Sequence, residues 1–114
     1  MVNFRNGMKT EVKEKMREGV GSGSIVYLVD CEKEKNLKLV VEVTLPPGSS
    51  IGRHNHENET EYYIILSGSG FVDDDGKETE VKQGDVIITG RGAFHSIANK
   101  GSVPLVFNAF IVTY

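Results

Sequence analysis

The chain has 114 residues, of which 39% are hydrophobic and 25% charged, with a formal net charge of −3. That length supplies one hydrophobic core of ordinary size and is short for two, so a single domain is expected. No apolar run approaches the roughly 18 residues that span a bilayer, and the scattered, outnumbered basic residues argue against membrane and nucleic-acid partners.

The first residues, "MVNFRNGMKTEVKEKMREG", mix charged and apolar side chains without the unbroken apolar stretch of a secretory signal, so a cytoplasmic location is expected. Met8, Val12 and Met16 recur at four-residue spacing, which predicts about two turns of helix in a short N-terminal segment, residues 1–23. Glycines 19, 21 and 23 then end it. A loosely ordered arm is the alternative, since so short a helix is marginal without packing. The single cysteine, Cys31, has no partner for an internal disulfide and ends an apolar run. It reads as an inert thiol.

Residues 24–114 read as an all-β domain. "SIVYLVD", "LKLVVEVTL", "EYYIILS", "GFVDD", "KETEVK", "DVIITG", "FHSIAN" and "PLVFNAFIVTY" are short segments rich in Val, Ile, Tyr, Phe and Thr, separated by Gly, Pro, Asn and Asp. Roughly eight strands at this spacing fit a sandwich or barrel. Asp75-Gly76 tolerates the positive φ angles of a tight hairpin, so the run Asp73 to Asp75 reads as a turn and is too short for an EF-hand.

The chemistry concentrates in "GRHNHENETEYYIILSGSG", residues 52–70. His54 and His56 are two apart, so an extended backbone turns both imidazoles to one face as a chelating pair. Glu61 lies an odd number of residues from His56, but the polar "ENET" between them predicts a turn that resets the phase. Surface histidines and a solvated acidic loop give the same local pattern. The third histidine, His95, reaches the pair only if β closure joins distant strands. Tyr63 and Ile65 share the parity of Glu61 and are expected to face the same cavity. Asn108 interrupts the apolar run "PLVFNAFIV", as a cavity-lining amide or as one facing solvent. Arg53 and Arg91 stand beside ligand candidates or turns and are expected to point to solvent.

Over residues 37–112 the chain resembles the cupin superfamily, in particular its small single-domain members. Gly48, His54, His56, Glu61 and Gly68 fit the intervals of the first cupin motif, and Gly84, Gly92, His95 and Asn99 those of the second. Gly90 departs, standing where the family usually has proline. Glycine makes a turn there at greater entropic cost.

The resemblance implies a jelly-roll barrel, the cupin double-stranded β-helix, with His54, His56, Glu61 and His95 as ligands of one divalent transition metal per chain. Imidazole and carboxylate donors suit manganese, iron, nickel, cobalt or zinc better than calcium or magnesium. Four protein ligands leave room on a six-coordinate ion for a small-molecule ligand or substrate. Two readings follow. One is a metal-dependent enzyme of decarboxylase, dioxygenase or isomerase type acting on a small oxygenated molecule, and the sequence favours it slightly. The other is a binding or sensing module that uses the metal to hold a sugar or organic acid. "EYYIIL" is apolar on both faces, so Tyr62, Ile64 and Leu66 need cover, from a homodimer partner or from residues 1–20 folding back.

Overall fold

The structure, a computed structural model, describes residues 1–114. Ten strands form two antiparallel sheets. They are β1 (Thr10–Glu14), β2 (Ser22–Tyr27), β3 (Leu37–Leu45), β4 (Ser50–Asn55), β5 (Glu59–Ser67), β6 (Ser69–Asp74), β7 (Lys77–Lys82), β8 (Val86–Gly90), β9 (Phe94–Ala98) and β10 (Leu105–Thr113). One sheet runs β1-β2-β3-β10-β5-β8 and the other β4-β9-β6-β7. This is the all-β double-stranded helix expected from the sequence. No helix is long and apolar enough to cross a membrane.

Period-2 patterning decides what lies between the sheets. Val41, Val43 and Leu45 of β3, Phe107 and Ala109 of β10, Tyr63 and Ile65 of β5, and Val72 and Ile97 of the facing sheet form one buried cluster. Each large apolar side chain so buried contributes about 1.5–3 kcal/mol. β7, the edge of the smaller sheet, is exposed at every position except Val81. Its Lys and Glu side chains blunt an edge open to pairing with another chain.

The N-terminal helix is not formed. Residues 10–14 are instead β1, which pairs with β2 from Thr10↔Val26 to Glu14↔Ser22, and only single 3-10 turns flank it at Arg5–Gly7 and Met16–Glu18. A helix of two turns buries too little to hold itself together, whereas an edge strand gains a ladder of backbone hydrogen bonds. Glycines 19 and 23 are places of close approach. A Cβ on Gly19 would strike the backbone of Ser50, and one on Gly23 would strike the Met16 side chain. β1 lies at the opposite edge of its sheet from β5 and β8. Arg5 pairs with Glu42 of β3 at 2.6 Å, and Met1, Val2, Phe4, Val12 and Val20 stay exposed, so these apolar side chains are not buried against Tyr62, Ile64 and Leu66.

Asn99, which the second motif marks, is a structural tie. Its buried amide donates to Leu45 O and Val103 O, both at 2.8 Å, and its Oδ1 accepts from Gly101 N–H at 3.0 Å. Its backbone exchanges further bonds with Ser49 and Gly48, so one side chain fastens the end of β3 to the loop before β10. Asn99→Ala orphans buried carbonyls and should cost about 1–3 kcal/mol, read as a lower denaturation midpoint in urea with an unchanged slope.

Candidate metal centre

His54 and His95 are direct cross-strand partners, but only because β4 carries a bulge. Ile51 pairs with Ile97 and His54 with His95, three residues against two. The extra residue moves His54 to the inner face that Ile51 already occupies, and Arg53 is left outside. The chain then turns through Asn58, whose φ is 56°, and β5 starts with the phase that carries Glu61 inward. His56 sits at the start of this turn, with its N–H donating to Ala93 O at 3.1 Å and its carbonyl accepting from Gly92 N–H at 2.8 Å.

These local devices bring His54, His56, Glu61 and His95 together, one ligand atom from each lying within 4.8 Å of the others. His95 Nε2 is 2.9 Å from His54 Nε2 and 3.1 Å from His56 Nε2. Glu61 Oε1 is 2.9 Å from His56 Nε2 and 3.0 Å from His95 Nε2, with His54 Nε2 farther away at 3.6 Å. Two ligands set at right angles, each about 2.1 Å from one ion, stand about 3.0 Å apart. The short separations fit that spacing.

The far side of each ring fixes what Nε2 presents. His54 Nδ1 lies 2.7 Å from Gly52 O and His56 Nδ1 lies 2.6 Å from a Glu59 oxygen, both acceptors, so these Nδ1 atoms carry the proton. His95 Nδ1 is 2.8 Å from Thr89 Oγ1. When the rings are neutral, the Nε2 lone pairs of His54 and His56 therefore converge with the Glu61 carboxylate. Acceptors meet there without a donor, an arrangement that a cation satisfies and that a second ring of partners orients. The cluster is suited to a metal ion.

Burial and hydrogen bonding act against each other in the metal-free site. Burial opposes a charge on Glu61, but the His54, His56 and His95 rings, which donate to it from Nε2 when protonated, outweigh burial and hold the carboxyl far below its ordinary range. Burial likewise opposes a charge on His56, yet hydrogen bonds to Glu61 and Glu59 prevail and raise it above 6.5. His95 is lowered, chiefly by burial. Tyr63 is buried and stacks on His95, with centroids 4.7 Å apart at 19°. Burial, then the Glu61 charge, push its hydroxyl well above 10, so it stays a proton donor.

A cavity of ≈ 560 Å³ reaches this centre, with His54, His56, Glu61 and Tyr63 in its lining. Ile65 faces inward as expected but belongs to the core, with 1% of its surface exposed. Asn108 does not line the chamber. It pairs across with Glu42 and Ile64 on the outer face of the sheet, because Phe107 and Ala109 take the inward positions of β10. Arg53 lies over the Phe94 ring and Arg91 over Tyr114, and neither lines the cavity. Glu59 and Thr89 hold the ligand rings but are hidden in the sequence by an acidic loop and an apolar strand. Residues 13–17 of the N-terminal segment also line the cavity, and no histidine or carboxylate spacing marks them.

In the metal-free protein, NMR titration should place the His56 imidazole above the ordinary histidine value and His95 below it. Glu59→Gln removes a carboxylate that favours the charged ring, so the His56 pKa should fall while its Nδ1 contact persists. An unchanged His56 titration in that variant contradicts the assigned pairing.

Residues 41–114 match the family model for the cupin domain. The chain is similar, with 44% identity over 98 residues, to the oxalate-binding protein of Thermotoga maritima, the match covering 85% of this chain and 81% of that one. It is also similar to a crystal structure of a predicted oxalate decarboxylase from the same organism, with a TM-score of 0.95, 39% identity and complete coverage of both chains. A shorter match, 32% identical over 62 residues, is to the tetracenomycin polyketide synthase protein TcmJ of Streptomyces glaucescens, covering 54% of this chain and 42% of that protein. With both motifs placed on paired strands, β4 with β9 and β5 with β8, and the matched segment spanning most of the barrel, the chain belongs to the cupin family.

Proposed function

We propose that the protein binds one divalent transition metal through His54, His56, Glu61 and His95, and uses it to hold a small organic acid by its oxygen atoms. The observation that carries this reading is the convergence of acceptor lone pairs on one point at the inner end of an open cavity. The ion would supply Lewis-acid attraction for carboxylate oxygens. Tyr63, a retained donor at the same end, would give a hydrogen bond to the bound acid. Similarity to the oxalate-binding protein makes oxalate the first acid to try.

Catalysis is the second reading, and Tyr63 is the observation that favours it. A buried hydroxyl stacked on a ligand ring is a proton source at the place where an acid would sit. Turning hydrogen oxalate into formate and carbon dioxide needs one proton moved from oxygen to carbon and consumes no other reactant. Titration calorimetry of oxalate into manganese-loaded protein, with formate and carbon dioxide assayed in parallel, separates the two readings. Saturable binding without product marks a binding protein.

Purified protein should contain about one equivalent of metal per chain, and His54→Ala should lose most of it while keeping its β-sheet spectrum. Full occupancy in that variant, by elemental analysis, refutes the ligand set. Imidazole must be deprotonated to bind. Because the His56 pKa is raised above its ordinary value, metal affinity should weaken as the pH is lowered, starting at a higher pH than an ordinary histidine would give, and drop about tenfold per pH unit for each proton displaced.

We further propose a homodimer through the outer face of β5 and β8. Tyr62 stacks on Phe110 at 4.8 Å, and Val86 and Ile88 leave 52% and 62% of their surface exposed beside Ile64. A two-fold pairing would cover this patch. Light scattering should give twice the chain mass, and Ile88→Lys should halve it with the fold retained. A folded wild-type monomer at micromolar concentration overturns the dimer.

A further inference from the structure

Between β1 and β2 the chain makes a turn whose conformation is costly. Lys15, Arg17 and Glu18 have φ of 50°, 53° and 63°, in the left-handed region that residues with side chains avoid. The turn is nevertheless firmly docked. Lys15 N–H donates to Gly21 O at 2.8 Å and Glu18 N–H to Lys15 O at 2.9 Å. Val20 binds Ser50 twice, its carbonyl accepting from Ser50 N–H at 2.8 Å and its N–H donating to Ser50 Oγ at 2.9 Å. Gly19 and Gly52 allow backbone contact where a Cβ on either would overlap the other segment. Strain that persists in so well-fastened a turn points to a use for the residues it positions.

Their use lies in the cavity wall. Lys13, Glu14, Lys15, Met16 and Arg17 line the cavity that ends at the histidine cluster. Lys13 is 3.8 Å from Glu11, whereas Lys15 and Arg17 have no carboxylate within ion-pair distance. Much of the remaining wall is apolar, including Ile25, Leu39, Val41, Ile51 and Ile111. The cavity lining thus combines a chelating cluster, a hydrocarbon wall and cationic side chains from the turn. At ≈ 560 Å³ it falls in the range of about 300–1,000 Å³ that accepts ligands much larger than a two-carbon acid.

We propose that Arg17 is the recognition residue for the distal carboxylate of an elongated organic diacid, whose chelating head occupies the histidine cluster and whose hydrocarbon chain lies along the apolar wall. The assignment rests on the organic-acid reading above and narrows it. A guanidinium is suited to the distal group because it binds a carboxylate through two parallel N–H donors. Oxalate, with no chain, fills only the inner end.

The test uses manganese-loaded full-length protein and calorimetry with 2-oxoglutarate, 2-oxoadipate and 2-oxopimelate. Each is paired with the 2-oxo monoacid of the same chain length, and oxalate reports on the centre itself. At least one diacid should bind about tenfold or more tighter than its monoacid. Arg17→Gln should erase that difference and Arg17→Lys should keep part of it. Arg17→Gly should lose the discrimination yet raise the denaturation midpoint, because glycine relieves the left-handed backbone. Diacids that bind no better than monoacids, or an Arg17→Gln variant that weakens both alike, overturn the assignment while oxalate binding leaves the organic-acid reading standing. If neither oxalate nor any 2-oxo acid binds, that reading fails and the role of Arg17 falls with it.

Discussion

The structure depends on placing a buried carboxylate among three imidazoles. Glu61 is 5% exposed, and an isolated buried carboxylate would take up a proton to avoid the desolvation cost. Here three rings hold it ionised, but their Nε2 atoms lie close to one another as well as to the carboxylate. Lone pairs brought so close need either a proton or a cation between them. The raised affinity of His56 for a proton is the metal-free protein's partial answer, and a divalent ion is the fuller one. The barrel supplies the rigidity that makes this congestion bearable. His54 and His95 come from paired strands of one sheet and Glu61 from the other, so the rings separate only if the strands do.

Much of this was legible because strands alternate. The parity of Glu61, Tyr63 and Ile65 placed all three inside, and the structure buries all three. Nearly every apolar segment bounded by turn residues became a strand. Parity failed where the backbone inserts or omits a residue. The bulge between Ile51 and His54 decides that His54 faces the centre and Arg53 the solvent, and no side-chain pattern announces it. Asn108 could be read either way because a polar residue within an apolar run gives no parity of its own. Its neighbours decide: Phe107 and Ala109 need the interior more.

Glycine was the harder residue to interpret. Glycines 19, 21 and 23 look like helix stops when read along the chain, and in space they are contacts. Gly21 adopts a positive φ of 70°, whereas Gly19 and Gly23 remove side chains that would strike Ser50 and Met16. Gly90 behaves in the same way. It stands where the family resemblance suggested proline, but the turn is made by Arg91 and Gly92 with φ of 56° and 87°. A Cβ at position 90 would press on Glu59 and Thr60, so its small size serves the pairing of β8 with β5. Steric need from another segment leaves no local signature, so such glycines were misassigned.

The two faces of β5 connect these features. Its inner side chains Glu61 and Tyr63 line the cavity beside the histidines, and its outer ones, Tyr62 and Ile64, lie in an apolar surface that extends to Ile88. A strand committed on both sides cannot shift register by one residue, since the slip would send Glu61 outward and bury Tyr62 among the imidazoles. The penalty falls on both faces at once. Cover over the outer face therefore also guards the inner geometry, for whatever holds Tyr62 and Ile64 in place fixes Glu61 and Tyr63 between them. The N-terminal turn constrains the wall of the same cavity, through β4 and the Gly19–Gly52 contact. The chelating cluster and the N-terminal turn thus belong to one packed barrel, the turn being fastened to β4 by backbone contacts.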